Sequence, residues 1–225
     1  MSGVSERLLA LANEKNAAFV ARLIPNVPPE TILGAYQPQL RALARELRGS
    51  PAAESFLRQL PHTLHEENLL HAFLLDSVRD FGACLAEVER FLPHVDNWAV
   101  CDSLRPKGFV KHRAELLPHV EQWLASGETY TVRFGLGMLM CHYLDGEFEP
   151  RFLDLAAAVR SEEYYVRMMT AWYFATALAK QYDAALPYLR ERRLDPWTHN
   201  MTIRKAVESR RVPEAHKQFL KTLRG

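Results

Sequence analysis

The stretch VDNWAVCDSL at residues 95–104 sets a tryptophan and an aspartate four positions apart. On a helix, positions i and i+4 share a face, so Trp98 and Asp102 stand on one side of the same turn. Spacing alone leaves two readings open. One is a core tryptophan with an aspartate at its rim. The other is a site: a carboxylate stabilises a developing positive charge, and an aromatic face adds cation–π attraction of about 0.5–2 kcal/mol. Cys101 points elsewhere on the helix and reads as a small core residue. Trp123 and Trp197 read as packing residues.

A basic cluster, RPKGFVKHR at 105–113, follows at once and contains no acid. Net charge is only +1, but residues 190–225 hold ten Lys/Arg against four acids. That leaves the first 189 residues net acidic. A phosphate-binding surface requires such asymmetry, and a solvated helix face shows it too.

Other chemistries find little support. HTLHEENLLH at 62–71 does not match HExxH, and a zinc site needs a third ligand and an open position. His62 and His65 are therefore expected as surface residues at a helix start, and no metal site is expected. No P-loop, GxGxxG or GxSxG occurs. Three cysteines without CxxC spacing argue against a disulfide frame or zinc knuckle and for a reducing compartment. Apolar runs such as FGLGMLM fall far short of the roughly 20 residues of a membrane span, and the N-terminus shows no secretory h-region. A cytoplasmic protein is expected, with no membrane association.

The elements that must position these residues are helices. Apolar residues make up 48 % and charged residues 24 %, ordinary values for a globular protein. Apolar residues recur at three and four spacings through 8–24, 68–78, 132–144 and 166–179. Strict alternation and hairpin signals are missing. Prolines punctuate the chain at NVPPE (26–30), Pro51, Pro93, Pro106, Pro150, Pro196 and Pro213, several of them at helix starts. The expectation is an all-α chain of about a dozen short helices, with one helical stretch before NVPPE, forming a single domain over 1–225.

The helices also repeat. GETYTVRFGLGMLMCHYL (127–144) aligns with SEEYYVRMMTAWYFATAL (161–178) at an offset of 34, matching Tyr130 with Tyr164, Val132 with Val166 and Arg133 with Arg167. A looser third copy, DPWTHNMTIRKAVESR, places Arg204 near the same position. Helix pairs at this period mark a HEAT-like α-solenoid of paired antiparallel helices, with a concave face on which ligands bind. Arg133 and Arg167 then occupy equivalent places. Each either braces the neighbouring repeat through a carboxylate, the reading favoured by spacing alone, or joins a ladder of phosphate contacts.

The NW-xxx-D of 97–102, the TVR of 131–133 and the YYVRMMTAW of 164–172 together resemble the AlkD-type DNA alkylation repair proteins, glycosylases built from HEAT-like repeats. The resemblance runs from AAFVARLIPNVPPETILG to LDPWTHNMTIRKAVES. It implies excision of N3- and N7-alkylated purines from duplex DNA with no metal or organic cofactor. By position it implies Asp102 as the active-site carboxylate, Trp98 and Trp172 as the site tryptophans, and Arg133 as a phosphate-facing arginine. Arg105, Lys107, Lys111, Arg113, Arg167, Arg204 and Lys205 are the candidate DNA-binding residues. Leu23 falls where active members carry an aromatic, and the Ala and Thr of YFATALAKQ fall where they carry basic residues. A monomer is expected. Two alternatives remain: a non-catalytic member binding DNA of unusual structure, and a HEAT-type scaffold with Trp98 and Trp172 as interface anchors.

The implied chemistry suits one carboxylate. An N3- or N7-alkylated purine is cationic and leaves as a neutral base, so its departure needs no general acid. Positive charge grows on the deoxyribose, where Asp102 would stabilise it and orient water. The paired carboxylates of ordinary glycoside hydrolysis are not required.

Overall fold

The computed structural model describes residues 3–225. Regular structure among them is entirely helical, in fourteen α-helices and three short 3₁₀ turns. The chain divides into two compact units, one ending at His112 and one beginning at Arg113.

The first unit holds α1 (Gly3–Leu9), α2 (Glu14–Leu23), α3 (Gln37–Leu47), α4 (Pro51–Arg58), α5 (His65–Leu75), α6 (Phe81–Phe91) and α7 (Trp98–Ser103). Helix starts follow local chemistry. Ser50 accepts from the Ala53 amide just before Pro51, and Asp80 accepts from Ala83 N; each satisfies one of the donors a helix start leaves open. Helix α5 is apolar or buried around almost its whole circumference, the signature of a central helix. Helices α1, α3, α4, α6 and α7 all pack on it.

The single helical stretch expected before NVPPE is two helices. Asn13 breaks it: its backbone is extended (φ −145°), its side chain caps Asn16 N at 2.9 Å, and its amide donates to Leu33 O at 2.8 Å. The partner segment at 33–34 approaches α2 so closely that only glycine fits. A Cβ on Gly34 would lie 2.2 Å from Asn13 O and 2.3 Å from Ala17 N, and its φ is +77°, a conformation costly for other residues. Glu66 on α5 completes this knot. Its carboxylate is 1 % exposed and accepts from Leu33 N and Gly34 N, both at 2.8 Å.

The second unit holds α8 (Arg113–Ala125), α9 (Thr129–His142), α10 (Arg151–Ala158), α11 (Tyr164–Lys180), α12 (Tyr182–Arg190), α13 (Pro196–Glu208) and α14 (Glu214–Thr222). Here α9, α11 and α13 lie side by side in chain order, with α8 and α10 on α9, α12 on α11 and α14 on α13. The two copies of the sequence repeat are α9 and α11, and their matched valines, Val132 and Val166, are both buried.

Candidate nucleic-acid and catalytic site

Helix α7 is six residues long, too short to be stable alone, so its neighbours hold it. Asn97 is fully buried and caps it, accepting from Val100 N at 3.1 Å. The Asn97 amide group also reaches Asp96 Oδ1 at 2.7 Å and lies 3.3 Å from His65 Nδ1 on α5. Trp98 is half-buried and packs on the cluster of Ile24, Val27 and Ile32. Its indole N–H donates to Leu23 O at 2.9 Å, at the end of α2. Thus α2 is fixed at its start by Gly34 and at its end by Trp98. Trp98 thus packs against a core while remaining half-buried, and Asp102 stands one turn further along the same helix.

Asp102 is half-buried in the last turn of α7, where helix carbonyls disfavour a negative charge. The helix ends are satisfied by Asn97 and by the Leu104 amide, so capping does not require the carboxylate there.

The basic cluster begins on a half-buried acid. Asp76, at the end of α5, accepts from Arg105 N at 2.8 Å and faces Arg41 Nη1 at 3.9 Å. Burial raises its pKa to about 6, opposed by the Arg105 amide and the charges of Arg41, Lys107 and Arg105. The Arg41 guanidinium carbon lies over the Phe73 ring, 4.0 Å from its centroid. Lys107 and Lys111 are exposed, Arg105 half-buried. Gly108 between them is required by close packing, since a Cβ would stand 2.8 Å from Cys84 Cβ. Arg113 opens the second unit, 3.4 Å from Glu147.

In the second unit, Trp172 is 39 % exposed while most of α11 is buried. Arg133 is 4 % exposed, and its Nη1 donates to Tyr165 O at 2.7 Å. Arg167 repeats the theme one helix on: it pairs with Glu162 at 2.9 Å and lies 3.7 Å from Asp195. Asp195 caps α13 through the Trp197 and Thr198 amides, and these bonds hold its pKa below the usual carboxylate range against the opposing effect of burial. Each arginine of the repeat therefore grips the start of the next helix in the row. Arg204 pairs with Glu208 on its own helix at 3.0 Å, and Lys205 borders a cavity beside Trp172.

The candidate residues thus fall into two sets. Trp98, Asp102, Arg105, Lys107 and Lys111 belong to the first unit; Arg113, Arg133, Arg167, Trp172, Arg204 and Lys205 belong to the second.

The expectation of surface histidines at 62 and 65 is overturned. His65 is 4 % exposed, and His62 stacks on Phe56 at 4.4 Å while its Nε2 lies 2.9 Å from Nδ1 of the fully buried His71. His71 in turn stacks on Phe91 at 4.0 Å. Burial is the main force lowering all three pKa values, to about 4 for His62 and His65 and about 2 for His71. A short polar-looking sequence hid them because the α5 pattern runs through both faces.

One feature escaped the sequence reading. Phe19 on α2 is 50 % exposed and lies one turn before the 44 %-exposed Leu23. The signal was an aromatic at i−4 from Leu23, on the same helical face.

A family model described as DNA alkylation repair enzyme matches residues 4–209 of the 225. The chain belongs to the DNA alkylation repair enzyme family. The match spans both compact units and includes every candidate residue. The role of this family member is therefore DNA repair, with DNA as its partner. Among curated proteins, none matches the chain. No helix among the described residues is long and apolar enough to cross a membrane.

Proposed function

We propose that this DNA alkylation repair protein is a glycosylase that excises N3- and N7-alkylated purines from duplex DNA. The reading is carried by one observation: in a chain of this family, a capped and tethered α7 holds Asp102 on the same face as a Trp98 whose indole edge is already fixed. A carboxylate held this way needs no reorganisation when charge develops, the condition for effective electrostatic stabilisation.

The C1′–N bond of a cationic alkylpurine breaks with its electron pair going to the base, which leaves neutral. Asp102 stabilises the sugar cation and orients the water that attacks C1′, whose proton passes to solvent. Trp98 offers an aromatic face to that charge, worth about 0.5–2 kcal/mol, and Trp172 is assigned the same role by its place in the family's motif. The reaction calls for no cofactor. Rows of helices, α3–α5–α7 in the first unit and α9–α11–α13 in the second, support a HEAT-like arrangement of helix pairs within each unit. Arg105, Lys107, Lys111 and Arg113 would follow the flanking backbone, with Arg167, Arg204 and Lys205 further along. Arg133 enters with a different emphasis: buried and bonded to Tyr165 O, it acts by fixing the start of α11, which carries Trp172. The protein would act as a cytoplasmic monomer.

The test is release of 7-methylguanine from a defined duplex by wild type and Asp102→Asn. Wild-type release that falls about 10²–10³-fold in the variant supports the reading. Release no faster than the spontaneous rate overturns it and leaves DNA binding without catalysis as the function.

A further inference from the structure

Helix α7 is held at both ends by one neighbour, α5. At its start, Asn97 Oδ1 accepts from Val100 N, which turns the side-chain nitrogen toward His65, 3.3 Å from its Nδ1. An amide nitrogen only donates, so Nδ1 must accept, and the ring proton sits on Nε2. Burial keeps the ring in that neutral form at pH 7, lowering its pKa to about 4 against the opposing charge of Asp96. At the other end, the amide of Arg105, the residue after the Leu104 cap, donates to Asp76 Oδ1 at 2.8 Å.

His65 opens α5, and Asp76 closes it with helical backbone angles, φ −55° and ψ −19°. Eleven positions separate them, three turns to within about 20°, so both stand on one strip of α5, about 16 Å apart along its axis. The strip between them is apolar: Leu69 and Ala72 are both buried. Start meets start and end meets end, so the two helices run parallel. Apolar contact alone would let a helix of six residues slide and tilt, because it has no direction. Two hydrogen bonds at opposite ends remove both freedoms, and the Trp98 indole on Leu23 O, from α2, resists rotation about the axis.

We infer that His65 and Asp76 are positioning residues for Asp102, a clamp on α5 that sets where α7 presents its carboxylate. The catalytic consequence rests on the glycosylase reading. Neither side chain touches substrate or moves a proton. Each contributes an acceptor atom, and Asp76 acts through that atom rather than through its charge.

The test compares full-length wild type with Asp76→Ala, Asp76→Asn, His65→Leu and His65→Asn. Two quantities are read: single-turnover release of 7-methylguanine from a duplex, and hydrogen exchange of the amides at 98–104. Asparagine restores an acceptor oxygen near the lost atom at both positions; alanine and leucine do not. Asp76→Ala and His65→Leu are expected to slow release about tenfold or more, with duplex affinity within about twofold. Exchange at 98–104 is expected to quicken by about the same factor, with α3 and α6 as in wild type. The asparagine variants are expected to stay within about threefold of wild type in both readings. Wild-type release by Asp76→Ala, asparagine variants that fall as far as alanine and leucine, or faster exchange spread evenly through the first unit overturns the clamp. Should His65→Leu fail to fold, the Asp76 pair decides. Absence of release by wild type overturns the glycosylase reading instead, and the exchange measurement then decides the clamp by itself.

Discussion

The two units hold their candidate residues by different means. In the first, buried ionisable and polar side chains do the positioning: Glu66 grips the 33–34 backbone, Asn97 caps α7 beside His65, and Asp76 holds the Arg105 amide. In the second, an apolar row of helices is registered by arginines at repeat positions, Arg133 onto Tyr165 O and Arg167 toward Asp195. A single short helix bearing a carboxylate needs directional anchors, because six residues bury too little to fix their own orientation. Long helices packed side by side need only a register mark at each start. The difference predicts that the first unit is sensitive to pH and to backbone changes, and the second to loss of one guanidinium.

The largest effect expected is on chemistry: Asp102→Asn lowers base release about 10²–10³-fold with duplex affinity within about twofold, measured by single-turnover kinetics and anisotropy. A loss of affinity equal to the loss of rate would make Asp102 a binding residue instead. Next, Gly34→Ala is expected to destabilise the first unit by about 3–5 kcal/mol, because the added Cβ would overlap the backbone of Asn13 and Ala17 at the start of α2. Urea unfolding checks it, and a loss under about 1 kcal/mol would mean the α2 contact is slack.

Acid sharpens the same contrast. His62, His65 and His71 have folded pKa values lowered to about 4, 4 and 2, against an unfolded value near 6.5. Below that unfolded value the unfolded chain binds more protons, so stability is lost as pH falls from about 6.5 toward 4. His71→Phe, which keeps a ring against Phe91, is expected to flatten that profile by on the order of 1–3 kcal/mol at pH 4. An unchanged profile would show that the cluster opens before it titrates. Asp76 works in the opposite sense. Its folded pKa of about 6 exceeds the unfolded one, so its contribution declines as pH rises through about 4 to 6, partly masking the histidines.

The smallest effects separate the two arginines. Arg133→Lys keeps the charge but loses the planar fork and is expected to cost about 1.5–3 kcal/mol, the range for a buried hydrogen bond to a charged group. Arg167→Lys, whose Glu162 partner is solvated, is expected to cost no more than about 1 kcal/mol. Equal losses would place both in the same environment and remove the distinction between a buried brace and a rim pair.

The all-α class and the α9/α11 repeat were legible because helical periodicity and Y-x-V-R spacing are local patterns. The i, i+4 geometry of Trp98 and Asp102 was legible for the same reason, and so was the family, through motifs in a fixed order. Several features were not. The break at Asn13 depends on Leu33 accepting its amide, and the burial of His65 depends on α5 being surrounded by five helices. The cavity beside Trp172 combines small residues of α11, visible as a pattern, with Lys205 on α13 and Arg211 just beyond it, which lie past the intervening α12. Sequence by itself determined which helices form and which residues share a helical face, since both follow from backbone geometry over a few residues. Tertiary structure alone decided which polar groups lost their water and which partners they found, because desolvation and pairing depend on neighbours that the chain brings in from dozens of positions away.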